Sequence, residues 1–207
     1  MINMKTLTAE EREQFVQNII NEWRKATPDQ LARGRAWYRT AHQLADMISE
    51  GNVMAGAGVI AALSANKSWP ENQRLAAATF ENGEPNGHVH DALAKAAKIL
   101  AGTDPAEVLP MDAKTGNFYR CILDPEDAEA VCVDRHAHDI AVGETYGNRE
   151  RGLSAKSRYA LIAHCYREAA MRLEELPSTV QAVTWVVRVE DLAGTGTRPM
   201  NGREQHE

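Results

Sequence analysis

Apolar residues recur at helical spacing along most of this chain. Phe15, Ile19, Ile20 and Trp23 form the first such stripe, which is typical of an amphipathic helix. Thr8 followed by Glu11 is the sequence of a capping box, and it places the start of that helix just before the stripe. Thr27-Pro28 gives a second start signal, because proline is tolerated in a first turn.

Similar signals divide the rest of the chain into shorter helices. The stretch 53–63 is apolar on every side, which predicts a buried central helix. Further helices are predicted from Ser68 to Asn82, over 91–100, at Asp104-Pro105, over 114–123 and 134–142, from about 154 to 176 and from 178 to about 189. The stretch 183–189 also has the composition of a strand, but it follows the helix-start signal Pro177-Ser178. We therefore predict an all-α fold.

Length and composition narrow the class of protein. The chain has 207 residues, of which 43% are hydrophobic and 25% charged, values ordinary for one globular domain. We predict a single helical domain over 1–193 and a flexible tail over 194–207, where apolar periodicity is missing. The longest apolar run is too short to span a bilayer, and the polar N-terminus does not resemble a signal peptide. A cytoplasmic monomer without a membrane partner is expected.

Charges and cysteines give weaker signals. The net charge of −6 argues against nonspecific coating of nucleic acid. Two basic clusters could still follow phosphates, or could be solvated helix faces: Arg33, Arg35 and Arg39, and Arg149, Arg151, Lys156 and Arg158. The cysteines Cys121, Cys132 and Cys165 lack zinc or iron–sulfur spacing, which predicts buried thiols and no metal site. No cofactor motif is found.

The segment from Leu109 to Ile140 carries the candidate chemistry. Lys114 stands at the start of one predicted helix and Asp134 at the start of another. A helical scaffold can direct two helix starts to one point, and an amine beside a carboxylate can attack or stabilise an electron-poor carbon. The competing interpretation is structural, with Lys114 as a surface residue of a first turn and Asp134 as an N-cap.

In this segment, LPMDAKTGN followed by VDRH resembles the core of the helix-hairpin-helix DNA glycosylase superfamily, to which endonuclease III belongs. The matching residues are Leu109, Pro110, Lys114, Thr115 and Asn117, then Val133, Asp134 and His136. Upstream, the run Leu63, Ser64, Ala65 and Asn66 resembles the end of the family helix that lies next to DNA, and Asn72 stands where another asparagine follows. The resemblance covers roughly residues 53–142 and implies a glycosylase-like fold.

The resemblance also implies an activity and a partner. Lys114 would be the amine nucleophile at C1′ of a flipped nucleotide, and Asp134 its carboxylate partner. The partner would be duplex DNA that contains a damaged or modified base. The residues expected to contact DNA are Asn66, Lys67, Trp69, Asn72, Met111, Ala113, Thr115, Asn117, Arg135 and His136.

Departures from the family pattern keep other functions open. The hairpin is Met111-Asp112-Ala113 rather than a glycine-rich turn, so Asp112 puts negative charge where a phosphate is usually held. The four-cysteine cluster of many members is missing, and the net charge is acidic.

Two further segments point to a specialised branch. RAWYRTAHQLA and PSTVQAVTWVVR resemble small bacteriophage proteins of this fold. Some phage relatives join an amino acid or polyamine to an activated 5-pyrophosphomethyl-uracil in DNA, and such a protein would work in the host cytoplasm. The alternatives to base excision are therefore a thymine-hypermodification transferase and a non-catalytic binding module.

Overall fold

All regular structure in the described part of the chain, residues 7–194 of this computed structural model, is helical. The all-α prediction is therefore confirmed for these residues. The helices are α1 (Ala9–Arg24), α2 (Pro28–Ile48), α3 (Val53–Ala62), α4 (Trp69–Asn82), α5 (His90–Leu100), α6 (Pro105–Val108), α7 (Lys114–Leu123), α8 (Arg135–Val142), α9 (Asn148–Arg151), α10 (Lys156–Leu173) and α11 (Pro177–Gly194). None of them is long and apolar enough to cross a membrane.

Side-chain caps fix where several helices begin. Thr8 and Glu11 form the predicted capping box of α1, and Thr27 forms a second box at α2. Ser68 caps α4, and Asp134 caps α8 by accepting a hydrogen bond from Ala137 N–H at 2.8 Å. Each cap joins residues three positions apart, so these helix starts are determined by local sequence.

The C-terminal third differs from the prediction in three places. The short helix α9 was not predicted, and α10 covers fewer residues than the predicted stretch 154–176. Helix α11 includes the strand-like stretch 183–189 because its valines pack in the interior, and packing overrides β-propensity. It also includes Gly194, where the flexible tail was predicted to begin; residues 195–207 lie outside the described residues.

The buried side chains form two hydrophobic cores. The first core is built mainly by α2–α5 and α7, and it includes Ile60 and Ile122. The second core is built mainly by α1, α8, α10 and α11, and it includes Ile19 and Ile162. The N-terminal helix thus packs with the C-terminal helices, while the intervening chain forms the first core.

Helices α2 and α11 join the two cores. A Cβ added to Gly34 of α2 would lie within 3.0 Å of backbone atoms of Val183 in α11, so glycine permits this close crossing. One turn after Gly34, the buried Tyr38 hydroxyl donates to Gln181 Oε1 at 2.8 Å. This hydrogen bond sets the register of α11 against α2.

A buried ionic cluster ties α8 to the connection before α10. The Asp139 carboxylate accepts hydrogen bonds from Arg151 Nε at 2.8 Å and Arg151 Nη2 at 2.6 Å, and from His138 Nδ1 at 2.9 Å. Burial alone would raise the pKa of Asp139, but the hydrogen bonds from Arg151 and His138 outweigh it and hold the pKa below its ordinary value. The carboxylate is therefore ionised at neutral pH.

Candidate functional site

Lys114 is the first residue of α7 and is exposed to solvent. The residue before it, Ala113, occupies the N-cap position and has no side chain that could accept a hydrogen bond from the first turn. Within residues 7–194, Lys114 forms no ion pair with an acidic side chain. The amine is thus left available at an uncapped helix start.

The hairpin that leads into α7 is held from beneath by that helix. Asn117 Nδ2 donates to the carbonyl oxygens of Met111 at 3.3 Å and Ala113 at 3.0 Å. A Cβ added to Gly116 would lie within 3.0 Å of backbone atoms of Met111 and of the Pro110 carbonyl oxygen. Glycine at position 116 thus allows the hairpin backbone to pack directly on α7.

The negative charge of the hairpin is neutralised by a distant residue. Asp112 forms an ion pair with Lys156 in the first turn of α10. The hydrogen bond from Lys156 lowers the pKa of Asp112, so the carboxylate stays ionised and paired with the ammonium group. Both side chains are exposed, and the contact therefore adds little stability.

We expect Gly116→Ala to lower the free energy of unfolding, although alanine favours a helix over glycine by about 1 kcal/mol. The added methyl group meets backbone atoms that cannot rotate away, and overpacking of this kind costs about 1–3 kcal/mol. Urea unfolding followed by circular dichroism measures the difference. As a control, Gly194→Ala places a methyl group with no atom within 4 Å and should be neutral. Equal stability of Gly116→Ala and wild type would contradict a tight hairpin contact.

Asp134 is brought to the site by an extended segment that alternates between the cores. Ala130 and Cys132 belong to the first core, whereas Val131 and Val133 belong to the second. Tyr159 fixes this segment, because Val133 N–H donates to its hydroxyl at 3.0 Å and the hydroxyl donates to the Val131 carbonyl at 2.7 Å. Asp134 follows directly as the half-buried N-cap of α8.

The Cys132 thiol lies between the start of α7 and the segment that leads into α8. Cys132 Sγ lies 4.0 Å from the Lys114 carbonyl oxygen, and Asp134 is two residues along the chain from Cys132. Burial raises the pKa of Cys132 to about 12, the positive charge of Lys114 lowers it and the negative charge of Asp134 raises it. The start of α7 therefore lies against the Cys132 thiol, two residues before the Asp134 cap of α8, at the junction of the cores.

Arg135 and His136 lie beside Asp134 on the first turn of α8. Arg135 Nε donates to His136 Nε2 at 3.2 Å. Burial lowers the pKa of His136, which the charge of Asp134 partly offsets. An imidazole that accepts a hydrogen bond at Nε2 and has a lowered pKa is neutral at pH 7. His136 is therefore a neutral hydrogen-bonding group next to the Asp134 carboxylate.

The loop between α3 and α4 carries the next set of predicted DNA contacts. Asn66 is exposed at its tip with a φ of 57°, a left-handed conformation that asparagine tolerates. His88 Nε2 donates to the Ala65 carbonyl oxygen at 2.9 Å, since its Nδ1 accepts from Val89 N–H at 2.7 Å. Lys67 is paired with Glu71 at 2.7 Å. Asn66 is thus presented to solvent by a loop held in place from both sides.

Three of the predicted DNA contacts are buried: His136, at 8% exposure, and the two asparagines Asn72 and Asn117. Asn72 is 2% exposed, and its Nδ2 donates to the Ile60 carbonyl oxygen at 3.0 Å, so it supports the end of α3 instead of facing DNA. Asn117 is 6% exposed and is occupied by the hairpin. Both asparagines hold backbone carbonyl groups inside the protein, and the prediction that they contact DNA directly does not fit their burial. Met111, Ala113, Thr115 and Trp69 are half-buried near the surface.

The two basic clusters are mostly neutralised within the protein. Arg33, Arg35 and Arg39 pair with Glu190, Glu175 and Glu126 at 2.5–2.7 Å. Arg35 and Arg39 line a surface groove of about 430 Å³ that contains neither Lys114 nor Asp134. In the second cluster, Arg151 is buried against Asp139, and Arg158 donates to the carbonyl oxygens of Glu150 and Arg151. These internal contacts favour the interpretation of both clusters as parts of the protein surface over that of phosphate-binding faces.

The cysteines are buried and unpaired, as predicted. No group of three or more histidine, cysteine or acidic side chains within residues 7–194 is placed to hold a metal ion.

Tyr38, beside Arg39, was a candidate for base stacking or phosphate contact from the sequence, but the structure buries it near Cys132. Burial raises its pKa well above the ordinary value, and Cys132, Cys121 and Asp134 raise it further through their charges. It therefore lies close to the segment that carries Asp134, although it is almost one hundred positions away in the sequence. Its position in the sequence RAWYR, between exposed arginines, did not indicate that it would be buried near this segment.

Comparison with known proteins places the chain in a family. The model of a family described as "Family of unknown function (DUF7178)" matches residues 1–192, which include both cores and the pair. No curated protein and no solved structure matches the chain.

Proposed function

This chain belongs to the DUF7178 family, whose function is unknown, and from its site we propose base excision from DNA, with Lys114 as nucleophile and Asp134 as its carboxylate partner. The observation that carries the proposal is the convergence of two helix N-termini, one from each core, on the Cys132 thiol. The helix-hairpin-helix resemblance of residues 109–140 adds the class of substrate.

The placement of the two groups suits nucleophilic catalysis. Lys114 is exposed and forms no ion pair in the described part of the chain, so its amine can approach a substrate carbon. Asp134 keeps its side chain near this point because one carboxylate oxygen caps α8. A carboxylate fixed by a helix and close to an amine can accept its proton and stabilise positive charge on the sugar.

In the proposed reaction, the Lys114 ammonium first loses a proton to solvent, and the lone pair of the resulting amine forms a bond to C1′ of the sugar. The glycosidic C1′–N bond breaks, and its electron pair leaves with the base, which takes a proton from water. The Asp134 carboxylate accepts the proton that the amine loses. The nitrogen lone pair then expels O4′, which takes up a proton, and a Schiff base joins the lysine to the opened sugar.

Two surfaces next to the pair suit contact with a duplex. The hairpin has its acidic charge neutralised by Lys156, and the α7 start behind it offers free N–H groups of the kind that bind phosphate. The second surface is the loop at Asn66, which a row of aromatic rings joins to α7. The Trp69 ring lies 4.9 Å from the Trp37 ring, and the Trp37 ring lies 5.9 Å from that of Phe118, one turn after Lys114.

Borohydride trapping on an abasic-site duplex tests the proposal without knowledge of the target base. The aldehyde of an abasic site accepts the lysine directly, so wild type should form a reduced covalent adduct and Lys114→Ala should not. Lys98→Ala removes another exposed lysine and should retain the adduct. A tetrahydrofuran duplex, which has no aldehyde, gives the chemical background.

Failure to trap an adduct, or an adduct that persists in Lys114→Ala, would overturn the proposed nucleophile. Incorporation of an amine into DNA that contains 5-pyrophosphomethyl-uracil would then favour the transferase. DNA affinity unchanged in Lys114→Ala and Asp134→Ala, with neither chemistry, would favour a non-catalytic binding module.

A further inference from the structure

We propose that α11 supplies the face that holds one unstacked nucleotide, with Trp185 stacking on its base and Arg188 contacting its phosphate. This inference rests on the proposed function and deepens it. Helix α11 lies outside residues 53–142, the segment that carries the family resemblance. Residues 177–188 of this helix resemble bacteriophage proteins of the same fold, but that resemblance assigns no role to Trp185 or Arg188.

Trp185 belongs to an aromatic cluster that joins three helices. The Trp37 ring of α2 lies 4.9 Å from Trp69 of α4 and 6.4 Å from Trp185 of α11. All three indoles are half-buried and keep part of their surface open to solvent. Aromatic surfaces of this kind stack with unpaired bases regardless of sequence. The same Trp37 ring also contacts Phe118, so the cluster adjoins the helix that begins with Lys114.

Arg188 stands on the same face of α11 as Trp185, because the two are three residues apart. Its Nη2 donates to the Thr145 hydroxyl at 3.0 Å, and no acidic side chain in residues 7–194 pairs with it. Burial lowers the pKa of His136, and the positive charges of Arg135 and Arg188 lower it further. Arg188 is therefore a cation close to α8 with donors left for a phosphate.

The position of this face is fixed by Gln181. Gln181, Trp185 and Arg188 lie four and then three residues apart, which places them on one stripe of the helix. Gln181 Oε1 accepts the hydrogen bond from Tyr38, so the stripe is turned toward the junction of the two cores. An aromatic plane and a cation one turn apart match a base and its phosphate, which identifies a nucleotide as the ligand class.

Fluorescence anisotropy with two DNA probes tests this assignment. One probe is a fully paired duplex and the other is the same duplex with a single bulged thymine. Wild type should prefer the bulged probe, and Trp185→Leu should reduce that preference by about 5- to 100-fold, the effect of losing one stacked base. Trp185→Phe keeps an aromatic ring and should retain most of the preference. Arg188→Gln should weaken binding to the bulged probe and reduce the salt dependence by about one unit of slope.

A matched control separates this effect from loss of a tryptophan elsewhere. Trp23 is also half-buried, but it lies on α1 with Arg35 5.9 Å from its ring centre. Trp23→Leu should leave the preference for the bulged probe intact. Thermal unfolding of each variant shows that the fold is kept, and Arg188→Gln carries the test if Trp185→Leu does not fold.

The outcomes distinguish this inference from the proposed function. If Trp185→Leu and Arg188→Gln both bind the bulged probe like wild type, the nucleotide face is wrong, whereas a Lys114 adduct on the abasic duplex keeps base excision. If wild type shows no preference for the bulged probe, the face is likewise overturned. If wild type binds neither probe and forms no adduct, both proposals fall.

Discussion

Replacing Asp134 with asparagine is expected to lower the rate of base release by about 10²- to 10⁴-fold, the range for loss of a positioned proton acceptor. The fold should be kept, because asparagine caps a helix about as well as aspartate and can accept the same hydrogen bond from Ala137 N–H. Single-turnover kinetics on the substrate duplex measure the rate, and thermal unfolding measures the stability. The substitution thus removes the charge and keeps the cap.

Two companion variants separate the chemical role of Asp134 from its structural role. Asp134→Ala loses both charge and cap, so it should show the same rate loss together with about 1 kcal/mol of destabilisation. Asp104 is an exposed N-cap of α6 that accepts from Ala106 N–H at 2.8 Å, and Asp104→Asn should change neither quantity. An Asp134→Asn variant with the wild-type rate would show that the carboxylate is only a cap.

Removal of the Asp139 carboxylate is expected to cause the largest loss of stability. Asp139→Ala leaves Arg151, which is 8% exposed, without the carboxylate that accepts two of its hydrogen bonds. Breaking a buried ion pair in this way costs about 3–5 kcal/mol. Urea denaturation gives the difference, and Glu126→Ala is the control. That variant breaks an exposed pair with Arg39, which is worth about 1 kcal/mol or less.

The stabilising effect of the Asp139 carboxylate should also depend on pH. The pKa of Asp139 is lowered in the native state, so its stabilising effect is present above its ordinary pKa of about 3.9 and is lost as the pH falls through the native value. The gap in unfolding free energy between wild type and Asp139→Ala should therefore be constant from neutral pH to about pH 5 and shrink below about pH 4. A gap that does not change at low pH would contradict the assignment of an ionised carboxylate.

Local sequence was enough to locate the helices that present the pair. The start of α7 at Lys114 and the cap of α8 at Asp134 were both predicted at the residues where the structure has them. Helix α9 was missed because it has only four residues and no apolar periodicity, and its buried Arg151 is held by Asp139, twelve positions away. Asn72 was expected at the DNA surface because its burial under α3 depends on how α4 packs.

The sequence by itself determined the helical class, the helix starts and the two groups of the candidate pair, because capping contacts and apolar periodicity act over a few neighbouring residues. Only the tertiary structure decided that the start of α7 lies against Cys132, that Lys156 pairs with Asp112, and that the arginines of the first basic cluster are paired internally. These contacts join residues far apart in the chain, and they form only when burial of both cores brings their helices together.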